Sequence, residues 1–155
     1  MGRALGLRAE AQQVHWAVVE GTQQTPILVD RGKAAAPADV DEAAALSALR
    51  DRILLVIRAQ KPECAIVRAP EHRPRGGNSD GDRRRLRLEG VLLQAADSAC
   101  IKTATWAHAT ISARLGSTTS KAYVESGLVR GIDVSRFPLP AKEAVLVAVA
   151  GLPKQ

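Results

Sequence analysis

The chain has 155 residues, 46% hydrophobic and 25% charged, which suits one globular domain around a single core and excludes a disordered or fibrous polymer. Lysine and arginine outnumber aspartate and glutamate 22 to 16, and the formal charge of +6 points toward a polyanionic partner, while an aromatic content of 3% argues against base-stacking platforms. No apolar leader and no membrane-length run is present, so the expectation is a cytoplasmic protein without a membrane partner.

Taken in order, Ala4–Arg8, Val14–Glu20 and Thr25–Arg31 are short apolar runs with turn-prone links, and they predict an antiparallel three-strand ribbon. A loop follows over Lys33–Ala38. Asp39, with Glu42 three residues on, predicts a helix cap. Leu46, Leu49, Ile53, Val56 and Ile57 then hold one helical face, and Lys61-Pro62 ends the helix because the residue before proline is driven out of the α region. Cys64–Val67 is too short for a helix and predicts a buried strand.

The stretch Arg68–Arg87 carries seven arginines, and Arg75–Gly81 has turn and linker composition, so a flexible cationic loop is expected at about 69–85. Leu88, Val91, Leu92, Ala95 and Ala99 resume helical spacing, with Gly90 as a small-residue notch. Ala99–Ala104 predicts a fifth strand, and Trp106–Leu115 and Thr118–Leu128 predict helices. Pro140–Ala150 fits a buried helix, although its alternating valines fit a strand equally. The order is that of an α/β fold in one domain over 1–155, with a mixed five-stranded sheet flanked by helices.

Chemistry-bearing motifs are few. Cys64 and Cys100 sit in apolar runs and are expected as buried free thiols, and His15, His72 and His108 lie too far apart for a local ligand motif. Neither a Walker loop nor a nucleophile elbow is present, and the Ser117–Ser120 cluster is expected to cap a helix. No metal or other cofactor is expected. Sixteen of the 22 cations are arginine, which offers phosphate a planar fork.

Several strings, in order and spacing, resemble the RuvC-type Holliday-junction resolvases of the RNase H-like superfamily. Leu5-Gly6-Leu7-Arg8 is similar to that family's opening Leu-Gly-Ile-Asp, and Cys64-Ala65-Ile66-Val67 to its Ala-Ile-Glu strand. Lys121-Ala122-Tyr123-Val124 is similar to its Lys-Ala-x-Val, and Pro140–Leu146 to its last acidic helix segment. The resemblance implies an RNase H-like fold, and a dimer through the helix over 86–99. In the family, four carboxylates hold two divalent cations roughly 4 Å apart. Here those positions fall on Arg8, Val67, Pro140 and Glu143, so only Glu143 keeps the acid.

Arg8 is expected to bridge Glu143 across the abandoned metal site, with a phosphate contact or an outward, snorkelling side chain as its alternatives. The chain is accordingly expected to be a non-enzyme that binds structured or duplex nucleic acid, DNA ahead of RNA, with low sequence specificity. Arg73, Arg75, Arg83, Arg84, Arg85 and Arg87 would carry that binding, with Arg114 and Lys121 as a second rim. Two alternatives stand beside it. One is an assembly subunit in a larger complex with an acidic protein partner. The other is a metal-dependent endonuclease with a relocated site at Glu10, Glu71 and Glu143.

Overall fold

The computed structural model describes residues 2–71, 79–116 and 119–155. Five strands form one sheet in the order β3-β2-β1-β4-β5: β1 (Gly2–Ala9), β2 (Gln13–Gly21), β3 (Pro26–Ala35), β4 (Cys64–Arg68) and β5 (Lys102–Trp106). The first three are antiparallel, and β4 and β5 run parallel to β1. This is the expected ribbon joined to parallel strands. Helices α1 (Glu42–Gln60) and α2 (Asp80–Ser98) make the crossovers and cover one face. The other face carries α3 (His108–Leu115), α4 (Lys121–Ser126), a two-stranded hairpin of β6 (Leu128–Val129) and β7 (Ile132–Asp133), and α5 (Leu139–Gly151).

Alternation along β1 sends Leu5 and Leu7 to the α1/α2 side, where they meet Leu49, Ile53, Leu88 and Leu92, all at most 2% exposed. Each such fully buried side chain contributes on the order of 2 kcal/mol through removal from water. Ala4 joins the opposite cluster, built around α5. The ambiguous segment Pro140–Ala150 is therefore a helix: proline occupies its first turn, and every residue from Glu143 to Ala150 is buried. An apolar element with no wet side belongs at the centre of a layered fold. Gly6 makes its approach possible, because a Cβ there would lie 1.9 Å from the Ala144 carbonyl oxygen.

Several boundaries differ from the sequence reading. The α1 cap is Asp41, whose carboxylate accepts the Ala44 N–H at 2.8 Å, while Asp39 sits in the left-handed region at φ +58°. Strand β3 extends through Lys33 and Ala34 into the expected loop, and β5 starts three residues after Ala99. The expected loop is shorter too. Ser79 caps α2 by accepting the Asp82 N–H at 3.1 Å, so Arg83, Arg84, Arg85 and Arg87 are helical rather than loop residues. Cys64 is half-buried as a free thiol, but Cys100 is exposed at φ +61° beyond the end of α2. Among the described residues no helix is long and apolar enough to cross a membrane.

Candidate functional site

At the C-terminal ends of β1 and β4 the apolar pattern gives way to charge. Leu7 pairs with Val67 in the parallel register, and Arg8 and Arg68 come next on their strands. The close seat of α5 on Gly6 carries Glu143, in the helix's second turn, over both guanidinium groups. Arg8 Nε donates to Glu143 Oε2 at 2.7 Å, and Arg68 Nε lies 3.4 Å from the same oxygen. Arg68 also lies 3.5 Å from Glu71 Oε1, and that oxygen accepts the His108 backbone N–H at 2.7 Å. A continuous network thus ties β1, β4, α3 and α5 together.

Burial dominates its electrostatics. The Arg68 side chain is 6% exposed, and desolvation pulls its pKa below the usual arginine value despite the help of Glu143 and Glu71. Neither Nε nor Nη1 of Arg68 has a hydrogen-bond partner among the described residues. Glu89, reaching in from α2, is pushed above the normal carboxylate range by burial, with Arg85, Arg8 and Arg68 opposing the shift. His108 is held below the ordinary imidazole value, first by burial and then by Arg68. Its Nδ1 lies 2.6 Å from Ser120 Oγ, and that hydroxyl also donates to the His108 carbonyl at 3.2 Å. A hydroxyl proton directed at that carbonyl would make Nδ1 the donor and leave the lone pair on Nε2. Ser120 therefore serves His108, and its side chain makes no capping bond to α4. Ser117 lies outside the described residues.

The sequence-predicted positions separate in space. Arg8 and Glu143 form the expected bridge. Val67 points into the α1/α2 core at 1% exposure, so the β4 side chain beside Glu143 is Arg68. Pro140 lies in the first turn of α5. Two divalent cations need hard, anionic oxygen ligands. The residues at this site do not fit such a pair: one carboxylate is shared by two arginines, and no group of three or more His, Cys, Asp or Glu among the described residues could hold a metal ion. The relocated trio does not assemble either. Glu10 pairs with His15 at 2.9 Å, Glu71 with Arg68 and His108, and Glu143 with the two arginines.

Of the arginines expected to bind nucleic acid, Arg73 and Arg75 lie outside the described residues. The α2 arginines fan out. Arg85 shares a recess of about 270 Å³ with Arg8, Glu10, Ser79 and Asp82, and lies 3.7 Å from Glu89. Arg84 lies 3.7 Å from Asp80, Arg87 binds Glu42 of α1, and Arg83 is exposed. Arg114 stacks on Trp106, 4.2 Å from the ring centre, and donates to the Ala150 carbonyl at the far end of α5. Lys121 is exposed at the start of α4, near His108. Sequence reasoning missed Arg68, Glu89, His108 and Ser120. For Arg68 a signal was present, since period-two spacing puts Arg68 on the same face as Ile66, opposite Val67.

No family model and no curated protein matches the chain in sequence. Solved structures do match. The structure of Thermus thermophilus RuvC is similar over 96% of this chain and 92% of its own, with a TM-score of 0.77 at 16% identity. T. thermophilus RuvC in complex with a Holliday junction substrate covers 97% and 92%, with a TM-score of 0.76 at 14% identity. The yeast mitochondrial Holliday junction resolvase covers 96% and 78%, with a TM-score of 0.59 at 11% identity. These matches correct one expectation. The chain was expected to be a non-enzyme, but the proteins that share its architecture almost end to end are resolvases, which are enzymes, and they lend inactivity no support. What the likeness establishes is architecture: this chain has the RuvC-type, RNase H-like fold.

Proposed function

We propose that this protein binds branched or duplex nucleic acid, DNA ahead of RNA, through the phosphate backbone and with little sequence preference. The observation that carries the reading is the gathering of arginines at the C-terminal ends of the central strands, where Arg8 and Arg85 line one recess together with Glu10 and Asp82. The recess opens at the start of α2, where Arg83 and Arg84 lie, and Arg73 and Arg75 precede that helix in sequence. Lys121 extends the positive rim past His108. The fold is shared with a RuvC solved with a Holliday junction substrate, which supports a junction as the first ligand to try. Contacts of this kind position a duplex without reading it.

Two copies pair in this reading through α2, whose outer side offers Leu86, 51% exposed, and Gly90, where a Cβ would meet nothing within 4 Å. Sedimentation tests that pairing, and a monomer at high protein concentration refutes it. The binding test is a salt series on a four-way junction, linear duplex DNA and structured RNA, with and without manganese. The logarithm of affinity should fall by about 0.9 per log unit of salt for each phosphate neutralised. Replacing Arg83, Arg84 and Arg85 together should flatten that slope. No binding at low salt refutes the reading. The manganese reactions also report strand cleavage, and comparison with Glu143→Ala shows whether that carboxylate contributes to it.

A further inference from the structure

The opposite pole of the molecule has a surface that this reading leaves unused. Helices α1 and α2 run side by side in the same direction, as Glu42 meets Arg87 near their starts and Arg50 meets Gln94 at 3.1 Å further along. Toward their C-terminal ends the seam opens into a groove of about 720 Å³. Its apolar lining includes Leu54, Leu55, Pro62 and Ile101, and Leu55 is 57% exposed. Leu55 is the one largely exposed apolar side chain of that lining, and Leu54 and Pro62 are buried beside it.

The charges around that lining have one sign to spare. Arg50, Arg58 and Lys61 line the groove, and Asp51 is its one acid. Asp51 lies 3.5 Å from Arg50, so its charge is already answered. Neither Arg58 nor Lys61 has an ion-pair partner among the described residues. Arg58 suits the carbonyl-rich end of α1 electrostatically, which accounts for its sign but not for the apolar lining beneath it. Lys61 is less easily explained by the helix alone. It sits at φ +50° in the left-handed cap position where glycine is usual, so the chain keeps a lysine at the groove against backbone preference.

We infer that this groove docks an acidic, amphipathic helical segment of a partner protein, its apolar stripe on Leu55 and Ile101 and its carboxylates on Arg58 and Lys61. A slot between the second half of α1 and the Ser98–Ile101 segment that ends α2 can take side chains spaced i, i+3, i+4, i+7 on such a segment. A second copy of this chain fits worse, since a two-fold contact would set the same positive rim against itself. The groove lies at the N-terminal end of β4, a strand length of roughly 13 Å from Arg68 at the other end, so its occupant would not compete with a ligand there. The inference is independent of the nucleic-acid reading, and it places the partner away from the arginines of α2.

The test uses the full chain and two labelled synthetic peptides. One carries leucines at i, i+3, i+4 and i+7 flanked by glutamates, and the other carries lysines in place of the glutamates. Fluorescence anisotropy should show the acidic peptide binding at least about tenfold more tightly, as charge complementarity requires. Amide shifts should cluster at 54–62 and 98–101. Leu55→Glu should abolish binding, and Arg58→Glu with Lys61→Glu should reverse the peptide preference while junction-DNA affinity is unchanged. Leu55→Ser serves in place of Leu55→Glu if the charge compromises folding by circular dichroism. Equal binding of the two peptides, shifts elsewhere or no binding overturns the inference. So does a dimer that dissociates on Leu55→Ser, because a second copy then fills the groove, and so does a parallel loss of DNA binding in the charge-reversed variant.

Discussion

Removing the Glu143 carboxylate tests the network at the end of the central strands most directly. In Glu143→Ala, two guanidinium groups face each other with their shared counter-charge gone. The side chains of Glu143 and Arg68 are 8% and 6% exposed, so solvent screens little, while Arg8 at 18% can turn partly outward. Breaking a buried pair from one side costs about 3–5 kcal/mol. Arg68 keeps Glu71 at 3.5 Å, which places the expected loss near the lower end, about 3 kcal/mol. For a chain of this size that corresponds to a fall of roughly 6–12 °C in Tm. Urea denaturation gives the free energy, and a double-mutant cycle with Arg68→Met isolates the coupling. Burial already outweighs the help Arg68 receives from Glu143 and Glu71, so the double variant should recover most of the loss. A loss below about 1 kcal/mol, or strictly additive variants, would refute the reasoning.

Three further outcomes follow from the geometry. Gly6→Ala puts a methyl group 1.9 Å from the Ala144 carbonyl, which is backbone and cannot turn aside, so the variant should lose several kcal/mol in urea or fail to fold, and near-native stability would disprove the close packing of α5. Burial raises the folded pKa of Glu89 above its ordinary 4.5, so its contribution is fully present below that value and is lost as pH rises through the folded pKa; Glu89→Gln should flatten that part of the pH–stability curve, and superimposable curves would count against it. His108 should titrate below 6.5 by NMR with its proton on Nδ1, and an Nε2-protonated ring would contradict the role given to Ser120.

Most of the layered architecture was legible because apolar periodicity changes from two to 3.6 along the chain. The β1 and β4 runs and the α1 face at Leu49, Ile53 and Ile57 are set by that signal. The first turns of α2 were obscured by arginine and glycine content. Their local chemistry is nonetheless helical, with Ser79 as cap, Asp80 and Asp82 in the first turn, and charge pairs at i,i+4 between Asp80 and Arg84 and between Arg85 and Glu89. Fold class followed from patterning; the site did so only in part. Arg8 and Glu143 could be paired through a family resemblance, but Arg68, Glu89 and His108 meet only once β4, α2 and α3 have docked. No window of sequence contains that information. The β6–β7 hairpin, two residues on each side, is likewise held by its surroundings rather than by a strand pattern.

The seat of α5 on β1 has a consequence for how the molecule is made. Arg8 and Glu143 are 135 residues apart, and the Ala4–Gly6 side of β1 is covered by a helix translated far later. At about 5–20 residues per second, the first strand waits roughly 7–30 s on the ribosome before its covering helix is synthesised. During that interval the nascent sheet shows an apolar side to the cell. Chaperone capture and aggregation during synthesis should therefore be concentrated before α5 emerges, and slowing translation between β5 and α5 should lower the yield of folded protein.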